Sequence, residues 1–388
     1  MFLLQNFEFV LFALTLVGVA LLHKHTMWVA LTGMTLVLIY KLVFNDPNDP
    51  FMLFHHLTEE ARVLINLMGL LLGFAILSRQ FEDSHVPDLL PRYLKDGWLG
   101  AFMLLAMICV LSSFLDNIAA ALIGGTIALV VFKGKVHIGY IAAIVAASNA
   151  GGAGSVIGDT TTTLMWIDGV PAMNVLHAYL AVLPALLIFG IPTSILQTKY
   201  QPIQSDAPAD VKVDYKKLLV VLMILVGAIL TNILLDFPAA GVWIGILLGA
   251  LITSTPWFEL KNSIRGTIFL MALVFTASMM PVEKLPPASW QSSFVLGFVS
   301  SVFDNIPLTK LALQQGGYDW GMLAYSVGFG GSMIWFGSSA GVAITNKFPE
   351  ARSVGRWLKY GWTVALAYVV GFFVLLAIHG WDPVIGYK

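Results

Sequence analysis

Two octapeptides hold the residues best suited to chemistry. Residues 112–119 read SSFLDNIA and residues 300–307 read SSVFDNIP. Each brings together a carboxylate, an amide and two hydroxyls. Such oxygen atoms suit a small alkali cation better than nitrogen or sulfur would. Asp116 and Asn117 in the first copy, and Asp304 and Asn305 in the second, are therefore candidate ligands, with Ser112, Ser113, Ser300 and Ser301 beside them. A carboxylate also takes a proton in place of a cation, so the same groups could couple the two. Ser and Asp are good helix N-caps as well. One copy alone would leave cap and site evenly matched; recurrence at matched places favours function.

Each octapeptide is followed by a glycine-rich break. GGAGSVIGDT at 151–160 and GGSMIWFGSS at 330–339 share the pattern G-G-x5-G. Glycine permits unwinding. Around the first break stand Asn149, Ser155, Asp159, Thr160, Thr161, Thr162 and Thr163, whose hydroxyls and carboxylate could coordinate a cation with freed carbonyls. Asp159 could equally cap a half-helix over 160–168, and both roles can hold at once. In the second break Ser338 and Ser339 stand where Asp159 and Thr160 stand in the first. The first half thus offers two carboxylates and the second one.

Both motif pairs lie inside apolar sequence. Of 388 residues, 58% are apolar and 11% charged, with a net charge of −1. Soluble domains average roughly a quarter charged, so the chain reads as an integral membrane protein, and its balance points to neither nucleic acid nor an anionic partner. Cys109 is the one cysteine. It excludes an internal disulfide and a cysteine-based metal site and reads as a buried structural thiol. Residues 9–22 follow Glu8 with no Lys or Arg before them, and read as a retained membrane helix rather than a signal peptide.

An Asp at membrane depth is costly and normally functional, and non-helical backbone there needs protein or a watery cavity around it. Two such elements, one per half, mark a transporter with internal repeats. Apolar runs predict an all-α fold with spans at 7–22, 26–44, 61–80, 173–197, 215–235, 238–254, 264–281 and 357–379, and broken spans at 138–167 and 319–345. The polar stretch 81–96 reads as a short interfacial helix. Segments 97–132 and 287–315 have arms of roughly 20–25 Å as helix, short of the roughly 30 Å hydrocarbon core. They read as re-entrant hairpins, giving about 10 full spans. The first repeat then covers 1–197, a cytoplasmic linker 198–214 and the second repeat 215–388. Five crossings per repeat make the second inverted. With Lys310 inside the second hairpin, sixteen of the 21 Lys and Arg fall on one side and only Lys41, Arg62, Lys284 and Lys388 on the other. The rich side reads as cytoplasmic, which places both termini on the outer, periplasmic face of a cell (inner) membrane.

Other polar residues receive plainer readings. Lys310, six residues after Asp304, does not share its helical face; snorkelling or pairing with a carboxylate elsewhere suits it better than site chemistry. Asp168 and Asp236 read as solvated loop residues. His23, His55, His56 and His137 sit at span ends, where interfacial residence explains them. Asn66 either lines the path or bonds a neighbouring helix. No Arg is expected inside a span.

SSFLDNIAAAL, SNAGGAGSVIGDTTTTLMWIDG, SSVFDNIPL and GFGGSMIWFGSSAGVA resemble the NhaD-type sodium/proton antiporters of the ion transporter superfamily, over about 100–345. The resemblance implies two inverted repeats, each with a re-entrant hairpin and a broken helix, in a homodimer whose transport domain moves like an elevator against a scaffold. It links Asp116, Asn117, Asn149, Asp159, Thr161, Thr162, Asp304, Asn305, Ser338 and Ser339 to ion binding, with Na⁺ at Asp116, Asp159 and Asp304. Ser113, Ser301 and Lys310 are expected as modulators. The chain is shorter than expected for that family, and Lys310 adds a cation near a cation site. The function expected is exchange of Na⁺ or Li⁺ for H⁺, with no cofactor and no enzymatic activity. A carrier of citrate, another dicarboxylate or arsenite on the same fold is the alternative. A membrane protease would want a Ser-His dyad or H-E-x-x-H, and neither occurs.

Overall fold

The computed structural model describes residues 7–22, 25–44, 52–204 and 211–384, and among them every regular element is helical. In lipid a helix satisfies its backbone within one segment, which is why apolar runs fold this way. Helices α1 (Phe7–Leu21), α2 (Thr26–Val43) and α3 (Met52–Glu82) come first. The polar stretch then forms α4 (Val86–Leu89) and a 3₁₀ turn (Leu90–Tyr93). Two short arms follow, α5 (Gly97–Ser112) and α6 (Asn117–Val131), then α7 (Ile138–Ala153), α8 (Thr160–Ile167), α9 (Met173–Leu176) and α10 (Tyr179–Tyr200). The second half has α11 (Tyr215–Leu235), α12 (Pro238–Gly249), α13 (Phe258–Ser278), and the arms α14 (Trp290–Ser300) and α15 (Asn305–Gln315). It closes with α16 (Trp320–Ala324), a π-helical turn (Tyr325–Phe329), α17 (Ser339–Lys347) and α18 (Val354–His379).

Five stretches are long and apolar enough to cross a bilayer: Thr26–Val43, His55–Glu82, Met173–Tyr200, Tyr215–Leu235 and Val354–His379. Large apolar side chains such as Leu183, Leu234 and Leu251 point outward, as lipid-facing positions do. This is a multi-pass membrane protein. The arms α5 and α6 have 16 and 15 residues, and α14 and α15 have 11 each. At 1.5 Å per residue the longest is about 24 Å.

Some boundaries differ from the sequence reading. α3 begins at Met52 rather than near 61, because its extra turns are polar and carry no hydropathy signal. Arg62 and Arg79, which the expected span 61–80 already enclosed, lie within α3, and Arg265 lies within α13, which corrects the expectation of no Arg inside a span. Both α3 arginines have acidic partners, Arg62 lying 3.6 Å from Asp236 Oδ2. Arg62 donates to the Leu235 and Asp236 carbonyls at 2.9 and 3.1 Å, and Arg79 pairs with Glu82 and Asp83 at 3.1 and 3.0 Å. His23, Lys24, Lys388 and part of the 198–214 connection lie outside the described residues.

Packing follows the repeated order. α1 lies on α2 and α11 on α12; α2 packs on α13 and α12 on α3. Two further contacts join the halves: α6 packs against α17, and α15 against α8. Every residue of α7 is buried, as a helix apolar all round must be. Two glycine contacts recur. A Cβ at Gly151 would stand 1.9 Å from the Cys109 carbonyl oxygen, and one at Gly330 would stand 2.4 Å from that of Gly297. Each break thus lies backbone to backbone against the outgoing arm of its own half.

Candidate functional site

The two SSxxDN motifs fold alike. Asp116 caps α6 at φ −51°, ψ 140°, and Asp304 caps α15 at φ −55°, ψ 138°. Each carboxylate accepts the amide two residues on, from Ile118 at 3.1 Å and Ile306 at 3.0 Å. The glycine breaks match as well. Asp159 caps α8 at φ −143°, ψ 142°, and Ser338 caps α17 at φ −143°, ψ 153°. A capping carboxylate uses one or two of its lone pairs on the backbone and keeps the rest for another partner. The cap reading and the site reading are therefore compatible at all three Asp residues.

Hydrogen bonds join these caps across the halves. Asn117 donates from Nδ2 to Asn149 Oδ1 at 3.0 Å and to Asp159 Oδ2 at 3.1 Å. Asn149 in turn donates to the Ser332 and Ser338 hydroxyls at 2.9 and 3.0 Å. The neighbouring Ser339 hydroxyl donates to Asp304 Oδ2 at 3.4 Å. Asp159 is buried and accepts the Thr161 amide at 2.9 Å. Asp116 adjoins Asn117 in the chain, and Asp304 meets the network through the Ser339 hydroxyl. A Cβ on Gly328, in the π-helical turn of the second half, would stand 3.4 Å from Asp159 Oδ2. The arrangement is a buried cluster of oxygen donors with three carboxylates. It is chemically fit to hold a small cation or protons.

Further hydrogen bonds tie the first arm pair to the first glycine break and to Tyr179. Ser113 donates to the Gly151 carbonyl at 3.0 Å and receives the Tyr179 hydroxyl at 2.8 Å. Ser155 donates to the Ser113 carbonyl at 2.7 Å, and Thr162 and Thr163 donate to the carbonyls of Ser155 and Val156. In the second arm pair Ser301 bonds only within its own turn, to the Phe298 carbonyl at 2.6 Å. Asn305 is buried at the head of α15.

One cavity reaches the cluster among the described residues. A cavity of about 350 Å³ lies among α3, α6, α8 and α13. Asp116 and Thr160 line it together with Arg79, Glu82 and Glu259. A larger cavity of about 480 Å³, lined by Leu22, Trp335 and Arg352, reaches none of the three carboxylates.

Lys310 is buried and lies 2.8 Å from Glu60 Oε2 and 3.5 Å from Asp168 Oδ1. Of its two expected fates, pairing with carboxylates elsewhere is the one observed. Asp168 corrects the reading as a solvated loop residue: its side chain is 3% exposed, because α15 packs on α8 and brings Lys310 onto it. Asp236 is exposed beside Arg62. Asn66 accepts the Ala239 amide at 3.0 Å and so bonds a neighbouring helix. Cys109 is buried. His56 bonds the Ser278 hydroxyl at 2.9 Å, and His137 caps α7. Sequence reasoning missed Ser332, Tyr179 and Glu60. Ser332 lies inside the second glycine break, where a hydroxyl at membrane depth was the available signal. Glu60 carried none, since its partner is 250 positions away.

The family model described as Citrate transporter (CitMHS) matches residues 9–330. Sodium/proton antiporter 1 of Arabidopsis thaliana is 26% identical over 69% of this chain, which spans only 54% of that relative. Sodium/proton antiporter 2 of the same plant is 23% identical, covering 93% of this chain and 94% of its own. The Na(+)/H(+) antiporter NhaD of Alkalimonas amylolytica is 24% identical over 84% of this chain and 78% of its own.

Proposed function

The chain belongs to the CitMHS citrate transporter family, and from that premise we propose that it exchanges Na⁺ or Li⁺ for H⁺ across the cell membrane. Cation and proton compete for Asp116, Asp159 and Asp304. The observation that carries this reading is the single network running from Asp159 through Asn117, Asn149 and Ser338 to the Ser339–Asp304 pair. Its donors and acceptors are oxygens and amides, and no cationic side chain enters it. Lys310 is taken by Glu60 and Asp168, and Arg79 pairs with Glu82 and Asp83. Relatives named sodium/proton antiporters support the same reading.

The halves are inverted repeats, with α5–α6 and α14–α15 as re-entrant hairpins and the cluster between their tips. Short arms, matched cap angles and the packing of α6 on α17 and α15 on α8 support this. The cavity at Asp116 opens to the cytoplasm, and the Lys310 network closes the outer side. α1–α3 and α11–α13 form the scaffold of a homodimer, and the remaining helices carry the site past it as an elevator. Both termini face outward.

Transport of citrate or another dicarboxylate is the second reading, favoured by the family's description. One measurement separates them. Proteoliposomes holding a pH-sensitive dye are challenged with Na⁺, Li⁺ or K⁺ across pH, in parallel with labelled citrate uptake. Na⁺- or Li⁺-driven dequenching that needs more cation as the pH falls is expected. Citrate uptake without cation-driven proton movement overturns exchange.

A further inference from the structure

Away from the oxygen cluster, three side chains from three helices converge. Asp319 precedes α16, His177 precedes α10, and His379 ends α18. His177 Nε2 lies 2.6 Å from Asp319 Oδ1, and His379 Nε2 lies 3.9 Å from Oδ2. The two imidazoles stack with centroids 4.0 Å apart at 18°. One donor atom from each residue falls within 4.8 Å of the others. We infer that His177, Asp319 and His379 form a binding site for a divalent transition metal of the Zn²⁺ class.

The surroundings are built for this convergence. The Asp319 side chain is fully buried. Two backbone amides orient it: Met322 donates to Oδ1 at 2.9 Å, and Asp382 donates to Oδ2 at 3.2 Å. The second bond depends on Gly380, whose φ of 80° turns the chain back after α18. A Cβ at Gly321 would stand 2.3 Å from His177 Nε2, so only glycine admits the imidazole there. Ligands about 2.0–2.1 Å from one tetrahedral metal stand about 3.3 Å from each other. The observed 2.6 and 3.9 Å straddle that spacing, so an ion would replace the short His177–Asp319 hydrogen bond, and the stacked rings would have to turn apart for both imidazole lone pairs to face it. Two nitrogens and one carboxylate oxygen suit Zn²⁺ or Co²⁺ better than Mg²⁺ or Ca²⁺, which prefer all-oxygen sites. His379 is 31% exposed, which leaves a route in and a fourth position for water. A bound ion would tie α10, α16 and α18 together at one end.

The test uses the purified full-length chain, stripped with a chelator and titrated with Co²⁺. The wild type should take up one Co²⁺ per chain with the strong visible absorption of four-coordinate cobalt, and Zn²⁺ should displace it. His379→Ala and His177→Ala should each lose at least tenfold in affinity, whereas His55→Ala should not. Zn²⁺ should raise the unfolding temperature of the wild type and of His55→Ala, but not of His379→Ala. Because His379 is partly exposed, its variant should unfold near the metal-free wild-type temperature, which separates lost binding from lost folding. No four-coordinate absorption in the wild type, or equal affinity in His379→Ala, overturns the site and leaves a hydrogen-bonded cluster only.

Discussion

Lys310 Nζ stands 2.8 Å from Glu60 Oε2, joining α15 to α3 through a buried ion pair. Asp168, at the end of α8, flanks the same ammonium at 3.5 Å. One cation thus faces two carboxylates from the first half, while Asp116 lines the cavity among α3, α6, α8 and α13. A buried charge is tolerable only when paired, so movement of α15 relative to α3 must exchange these partners or hydrate them.

Lys310→Ala leaves Glu60 and Asp168 without their cation. Removing one partner of a buried pair costs about 3–5 kcal/mol, so thermal unfolding in detergent should move down by several degrees. Cation-driven proton exchange in proteoliposomes should stay measurable, with an altered apparent affinity or pH range. Complete loss of transport in a folded, inserted protein would place Lys310 in the coupling step itself.

Asp116→Asn keeps the size of the side chain and its capping bond to the Ile118 amide. It removes the charge that H⁺ or Na⁺ must neutralise. Normal expression and stability are expected, with no Na⁺-induced stabilisation and no exchange across the neutral pH range. Near-wild-type exchange would make Asp116 a structural cap and move coupling to Asp159 and Asp304.

Asn149→Ala removes the link between the halves, leaving Asn117, Ser332 and Ser338 short of a partner. Each buried group left unsatisfied costs about 1–3 kcal/mol. Lower stability and a higher Na⁺ requirement are expected together, read by thermal unfolding and by Na⁺ titration of dye dequenching. Unchanged values of both would show that the amide is dispensable.

Gly151→Ala should be disabling, since its Cβ would meet the Cys109 carbonyl oxygen at 1.9 Å. Overpacking of this kind costs about 1–3 kcal/mol or more. Gly355→Ala, in the first turn of α18 with nothing within 4 Å, should be neutral or stabilising by up to about 1 kcal/mol. Comparing the unfolding temperatures of the two variants checks the close approach of break to arm.

Ser263→Cys, made with the buried Cys109 replaced by Ala, places a thiol in the cavity that Asp116 lines. A membrane-impermeant maleimide should label it from the cytoplasmic face. Labelling from the outer face alone would reverse the assigned orientation.

Much of this was legible in the sequence. Hydropathy located the helices because lipid forces each apolar run to satisfy its own backbone. The doubled SSxxDN and G-G-x5-G motifs marked the caps because a short polar motif is costly in an apolar run, and its repetition is hard to explain by capping alone. That reasoning could not reach long-range partners. The Lys310–Glu60–Asp168 network, the His177–Asp319–His379 convergence and the choice of Asn149 as the bridge between halves depend on which helices pack together. Periodicity carries no information on that. The polar start of α3 escaped because hydropathy registers only apolar runs, and these exposed turns carry His55, Thr58 and Glu59. Sequence therefore determined which residues could do chemistry, and tertiary packing decided which of them meet.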